Sequence, residues 1–222
     1  MESNKVNRYS IGEEIGSAVT HGVGTLLSIA GLVLLIVKAA TSAPVEYKAS
    51  YIVGFIVFGV SMIILYTSST LYHALTNPTA KKVFGIFDHT SIYLLIAGTY
   101  TAYCLTALRG PLGWTLFGVI WALAIAGITF YAVFGSKMRK ISAITYIPMS
   151  LILIFAANPI RENLTSISGS VLSWYYLLIG GAFYIVGTAF YAMKKIKWTH
   201  FVWHFFVVAG SIFHFFSIYL MI

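Results

Sequence analysis

Residues 194–222 read KKIKWTHFVWHFFVVAGSIFHFFSIYLMI. Three lysines crowd the start, and from Trp198 to Ile222 no Lys, Arg, Asp or Glu occurs. About 20 mostly apolar residues suffice for a helix to cross the roughly 30 Å of bilayer hydrocarbon. The stretch therefore reads as a membrane crossing anchored by a basic cluster. Within it stand His200, His204 and His214, and ionisable side chains in a crossing are costly unless they face a bundle interior.

The rest of the chain agrees. Of its 222 residues only 9% are charged and 59% are hydrophobic, whereas a soluble domain carries about a quarter charged residues. A fold of this size cannot hide that much apolar surface from water. The formal charge of +8 is not the footprint of a nucleic-acid binder, because the basic residues sit in short clusters between apolar stretches. Cys104 is the single cysteine, which excludes a disulfide framework and a zinc–thiolate cluster. The apolar run at 18–40 is longer than the roughly 7–15 residues of a signal-peptide core, so no cleaved leader is expected.

Seven apolar segments are predicted, near 18–40, 49–72, 84–107, 112–134, 142–158, 172–193 and 200–222. The fifth is the shortest and has room to extend at its amino end. Short loops join them, with no low-complexity segment and no evident repeat. The expected fold is all-α: one seven-transmembrane helix bundle over residues 1–222, with 1–16 a short amino-terminal tail. With the amino terminus cytoplasmic, the inner segments hold ten basic residues: Lys5, Arg8, Lys81, Lys82, Lys137, Arg139, Lys140, Lys194, Lys195 and Lys197. The outer segments hold four: Lys38, Lys48, Arg109 and Arg161. The positive-inside rule then places the amino terminus in the cytoplasm and the carboxyl terminus outside. A G-protein-coupled receptor has the opposite direction, and a retinal protein needs a lysine in its seventh helix, where this chain has none.

On that topology the polar residues gather at one membrane face. The first crossing opens with Ser17 and His21, the second closes with Ser69 and His73, the third opens with Asp88 and His89, and the seventh opens with His200 and His204. Residues four apart share a helical face, so His200 and His204 can grip one ion, and Ser69 can sit beside whatever His73 holds. Three imidazoles with a fourth position left for water or substrate is the catalytic pattern for zinc. His214 lies about 15 Å beyond His204 along the axis, too far to share that ion, and is expected to bond a neighbouring helix or a backbone carbonyl. Other readings stand beside these. A lone His-x-x-x-His is weak evidence of metal, Asp88 is also a candidate helix cap, and His21 and His89 also read as interfacial polar residues.

Four stretches together resemble a known family: EEIGSAVTHGVG (13–24), SSTLYH (68–73), FDHTSIYLLIAGTY (87–100) and HFVWHFFVVAGSIFHF (200–215). They are similar to the progestin and adipoQ receptor (PAQR) family, specifically its bacterial hemolysin III branch. The resemblance implies zinc on His73, His200 and His204, Asp88 holding the zinc-bound water, and Ser69 close by. Ser17, His21 and His89, at the same membrane face, are candidates from their position to support the ligands from behind. It also implies a cytoplasmic amino terminus, and kinship with seven-helix proteins regarded as metal-dependent membrane hydrolases. The eukaryotic receptors carry larger amino-terminal regions than this chain's short tail.

The leading expectation is hydrolysis of a lipid amide or ester at the inner leaflet, with Zn2+ as cofactor and membrane lipid as substrate or ligand. A non-enzymatic sensor of membrane lipid state with structural zinc is the second. A cytolysin is the third, although a directly pore-forming toxin needs a soluble state that seven apolar helices do not offer.

Overall fold

The computed structural model describes residues 9–193 and 195–222, apart from the side chains of Ser136, Arg139, Lys140 and Ala143. Of the basic residues that fix the expected direction, Lys5, Arg8 and Lys194 lie outside the described residues, as do the side chains of Arg139 and Lys140. Among the described residues all regular structure is helical. In chain order the helices are α1 (Ile11–Ser42), α2 (Lys48–Ala74), α3 (Pro78–Leu105), α4 (Pro111–Phe134), α5 (Arg139–Leu151), α6 (Ala157–Ser168), α7 (Leu172–Ala192) and α8 (Thr199–Tyr219).

Among the described residues six segments are long and apolar enough to cross a bilayer: α1, α2 with the short turn before it, α4, the stretch Ile144–Ser168, α7 and α8. The protein is an integral, multi-pass membrane protein. Helix α3 is not among the six, and packing explains why its composition differs. It lies between α2 and α4, and 15 of its 28 residues are buried, against 5 of 24 in α4. A helix walled off from lipid by its neighbours needs no apolar exterior. Its threonines instead fold back on their own helix, as Thr90, Thr99 and Thr101 bond the carbonyls of Ile86, Leu95 and Ala97.

Two boundaries depart from the sequence reading. Helix α1 begins at Ile11, because Ser10 and Glu13 form a capping box that starts it there. Residues 11–16 of the expected tail are therefore helical. The fifth segment extends at its carboxyl end, to Ser168, rather than only at its amino end. It is built of α5, a 3₁₀ stretch at Ile152–Ala156, and α6. Pro148 inside α5 removes one backbone donor and crowds the preceding turn. Just beyond it, where α5 passes into the 3₁₀ stretch, the phenol of Tyr100 on α3 inserts into the helix. Its one hydrogen is shared between the carbonyls of Met149 and Ser150, at 3.0 and 2.9 Å, and its oxygen accepts from the Leu153 amide at 2.6 Å.

Elsewhere the helices are pinned by buried hydroxyls. Tyr66 on α2 and Tyr184 on α7 both reach Ser211 on α8, each at 2.6 Å. Near the far end of α8, Tyr103 bonds the Ser217 hydroxyl at 2.7 Å, and Ser173 bonds the Ser217 carbonyl at 2.6 Å. These contacts gather α2, α3 and α7 around α8, and its amino-terminal end is thereby aimed at the ends of α1, α2 and α3.

Candidate metal centre

At one end of the bundle the start of α1, the end of α2, and the starts of α3 and α8 converge. Helix α1 turns a narrow stripe inward: Glu13, Ser17, His21, Gly24, Ser28, Gly31, Leu35 and Ala39 are buried, spaced three or four apart as one helical face demands. The small and polar residues on this stripe let α1 lie close to α2 and α8. Helix α8 is started by Trp198, which adopts a left-handed conformation (φ 69°). Its amide donates to the Glu13 carboxylate at 2.6 Å. That bond ties the first turn of α1 to the first turn of α8 and sets the register of His200.

His73, His200 and His204 meet. Nε2 of His200 lies 3.4 Å from Nε2 of His73 and 3.2 Å from Nε2 of His204. One ligand atom from each falls within 4.8 Å of the others. Zn–N bonds of about 2.0–2.1 Å at tetrahedral angles put neighbouring nitrogens about 3.3 Å apart, so the two close pairs match that spacing. Three mutually facing Nε2 atoms cannot all be satisfied by one another, since each proton between two rings leaves a third lone pair facing inward. A shared divalent cation resolves this, and the residues present fit one.

The ring of each ligand is held differently. His204 is fully buried and stacks on His21 with 3.7 Å between ring centroids. His200, partly exposed, stacks on Tyr9 at 4.3 Å. Nδ1 of His73 lies 2.6 Å from Glu14 Oε2. An ionised carboxylate only accepts, so Nδ1 carries the proton and Nε2 offers its lone pair to the centre. The other oxygen of Glu14 lies 3.0 Å from Lys81 Nζ on α3.

Sequence reasoning missed Glu14. Its neighbour Glu13 belongs to the capping box, and two adjacent acids at a helix start read as ordinary N-terminal charge. The available signal was its position three residues before Ser17 and seven before His21, on the face already singled out.

The remaining candidates fall as follows. Ser69 is buried one turn before His73, and its hydroxyl has no hydrogen-bond partner. Ser17 Oγ and both ring nitrogens of His21 are likewise buried without one of ordinary geometry. Thr20 and Thr70, beside them in the chain, bond their own helix carbonyls at 2.7 Å. Ser17 and Ser69 each stand four residues before a histidine, His21 and His73, and so share its helical face. Asp88 is buried one turn beyond Phe84 on α3, 3.5 Å from His89 Nδ1, and is not one of the three clustered ligands. It does not cap α3 either: Asn77 does, accepting from the amides of Thr79 and Ala80. His89 bonds the Gly85 carbonyl at 2.8 Å and stacks on Tyr131, turned to α4. His214 is not brought to the centre. It packs between α7 and α8 against Gly180 and Tyr184. It faces the Leu177 backbone of α7 without a hydrogen bond of ordinary geometry, so the bond to a neighbouring helix expected of it is only approached.

Fold and centre together define a polytopic helical membrane protein with a three-histidine cluster at one end of its bundle. The sequence profile of the haemolysin-III-related family matches residues 9–215. The chain is 47% identical over 206 residues to Hemolysin-3 of Bacillus cereus, covering 93% of this chain and 90% of that one. It is 44% identical over 211 residues to the Hemolysin-3 homolog of Bacillus subtilis (strain 168), covering 95% and 94%. At 23% identity over 169 residues, covering 73% and 68%, it resembles the human monocyte to macrophage differentiation factor. The chain belongs to the haemolysin-III-related family.

Proposed function

We propose that the protein is a zinc-dependent hydrolase of a lipid amide or ester, working where the inner headgroups meet the hydrocarbon. The observation that carries this reading is the convergence of His73, His200 and His204, with the Nε2 atom of His200 at near-tetrahedral spacing from those of the other two. On this reading α3 is the third of seven crossings, and the basic loops face the cytoplasm with the amino terminus. Membrane lipid is the substrate.

The protein supplies three ligands, and among the described residues no fourth His, Cys, Asp or Glu joins them. Three protein ligands are the pattern of catalytic rather than structural zinc. Bound there, zinc would polarise a substrate carbonyl and lower the pKa of water toward about 7. The Asp88 carboxylate then has the task of orienting the attacking water and accepting its proton. Ser69 Oγ, free of any internal bond, donates to the carbonyl oxygen as negative charge gathers on it. His73 keeps its proton on Nδ1, against Glu14, throughout. The acyl chain lies among the helices while the scissile bond stays at headgroup depth.

The test is incubation of the purified protein with a lipid extract, with mass spectrometry for released fatty acid. Asp88→Asn should lower turnover by roughly 10²–10⁴, the usual weight of a general base, and leave the bound zinc unchanged. Release of fatty acid by metal-stripped protein at the wild-type rate would refute the scheme. The name of the Bacillus cereus relative points to haemolysis, and the same preparation added to erythrocytes assays it.

A further inference from the structure

Glu14 is held in a way that an ordinary helix-start acid is not. One carboxylate oxygen lies 2.6 Å from His73 Nδ1 and the other 3.0 Å from Lys81 Nζ. Three helices, α1, α2 and α3, are thus joined through one side chain. The Glu14 side chain is 13% exposed and that of Lys81 7%. Burying such a pair costs desolvation that a surface pair avoids, so contact with a histidine of the cluster is a reason for placing it inside. The Lys81 contact also removes the carboxylate's freedom to swing away, since both oxygens are engaged.

We propose that Glu14 is a positioning residue of the metal centre: it fixes the tautomer and ring orientation of His73 and so sets how tightly the three imidazoles hold a divalent cation. The inference rests on the metal reading above and extends it to a residue outside the ligand set. Metal-ligating histidines usually donate their second N–H to a carboxylate, carbonyl or water, and loss of such a partner costs about 10–100-fold in metal affinity. The other two ligands are braced by ring stacking, on His21 and Tyr9. Neither contact fixes which nitrogen of His73 carries the proton. Among the described residues, the contact with Glu14 does that.

The rival account is a plain clamp, in which the Glu14–Lys81 pair joins α1 to α3 and His73 is a bystander. Affinity for zinc and cobalt(II), measured by chelator competition on the full-length detergent-solubilised protein, separates the two. The visible absorption of the cobalt(II) form reports ligand geometry. Glu14→Ala should weaken both metals by up to about 100-fold and alter the cobalt spectrum. Glu14→Gln keeps the shape and an acceptor for Nδ1–H but loses the charge, and should fall between Glu14→Ala and wild type. Lys81→Met breaks the ion pair yet leaves the carboxylate beside His73, so it should keep most of the affinity and the wild-type spectrum. Circular dichroism of the apo proteins shows whether each variant remains folded, and the isosteric Gln variant covers the case in which Ala does not. Wild-type affinity and spectrum in folded Glu14→Gln and Glu14→Ala would overturn this proposal alone. So would a Lys81→Met variant that matches Glu14→Ala in both readouts. A wild-type protein that binds neither cation would overturn the metal reading, and this one with it.

Discussion

Replacing His204 with alanine should strip the protein of metal. His204 is fully buried, with Nε2 3.2 Å from that of His200. Four-ligand zinc binding is worth about 10–16 kcal/mol. An equal share per ligand is about 3 kcal/mol, a loss on the order of 100-fold in affinity. Elemental analysis of the purified variant should find zinc well below one equivalent, and fatty-acid release should go with it. His214→Ala makes the contrast. That ring sits ten residues along α8 against Gly180 and Tyr184, so its removal should leave the metal content unchanged. A full equivalent of zinc in His204→Ala would end the three-histidine account.

Gly113→Ala should damage the fold itself. The start of α4 packs onto the end of α3 so closely that a Cβ at position 113 would lie 2.2 Å from the Leu108 carbonyl oxygen and 2.6 Å from that of Cys104. Both obstacles are backbone, so no rotamer change relieves them, and the corner itself must shift. Overpacking of this kind costs about 3 kcal/mol, the upper end of the usual range. Thermal unfolding in detergent should show a clearly lowered midpoint. Gly118, on the same helix, has open space where a Cβ would go, with nothing within 4 Å, and its alanine variant should melt like wild type. Matching midpoints for the two variants would mean that the α3–α4 corner yields freely.

Much of this architecture is legible in the chain because lipid imposes a simple demand, about 20 apolar residues per crossing. Six of the seven segments expected from the sequence meet that demand by length and composition. The one at 84–107 corresponds to α3, whose buried polar face reflects neighbours that periodicity along a single segment does not reveal. The carboxyl end of the fifth segment escapes the sequence for a related reason. Residues 157–168 read as polar, with Arg161 and Glu162 among them, yet Ile160 and Leu164 are fully buried and carry the helix on to Ser168. At the site, the fourfold spacing of His200 and His204, and the placement of His73 at the same end, are sufficient to assemble the cluster. Glu14 shows in the sequence only as a residue on the face of Ser17 and His21, because its contact with His73 depends on α2 lying across from it, 59 residues away in sequence. Asp88 is legible as an acid at the start of the third segment, and it is buried there, but its 3.5 Å neighbour is His89, not one of the three.

The hydroxyl of Tyr100 has a consequence for how the protein enters its membrane. Hydrocarbon offers no partner for the carbonyls and amide that this group satisfies around Met149, Ser150 and Leu153. The interrupted span from Ile144 to Ser168 is therefore a poor independent traveller into lipid, and becomes at home there only when it can lean on α3. Synthesis delivers α3 first, so the nascent chain already carries the seat that its most awkward passenger needs.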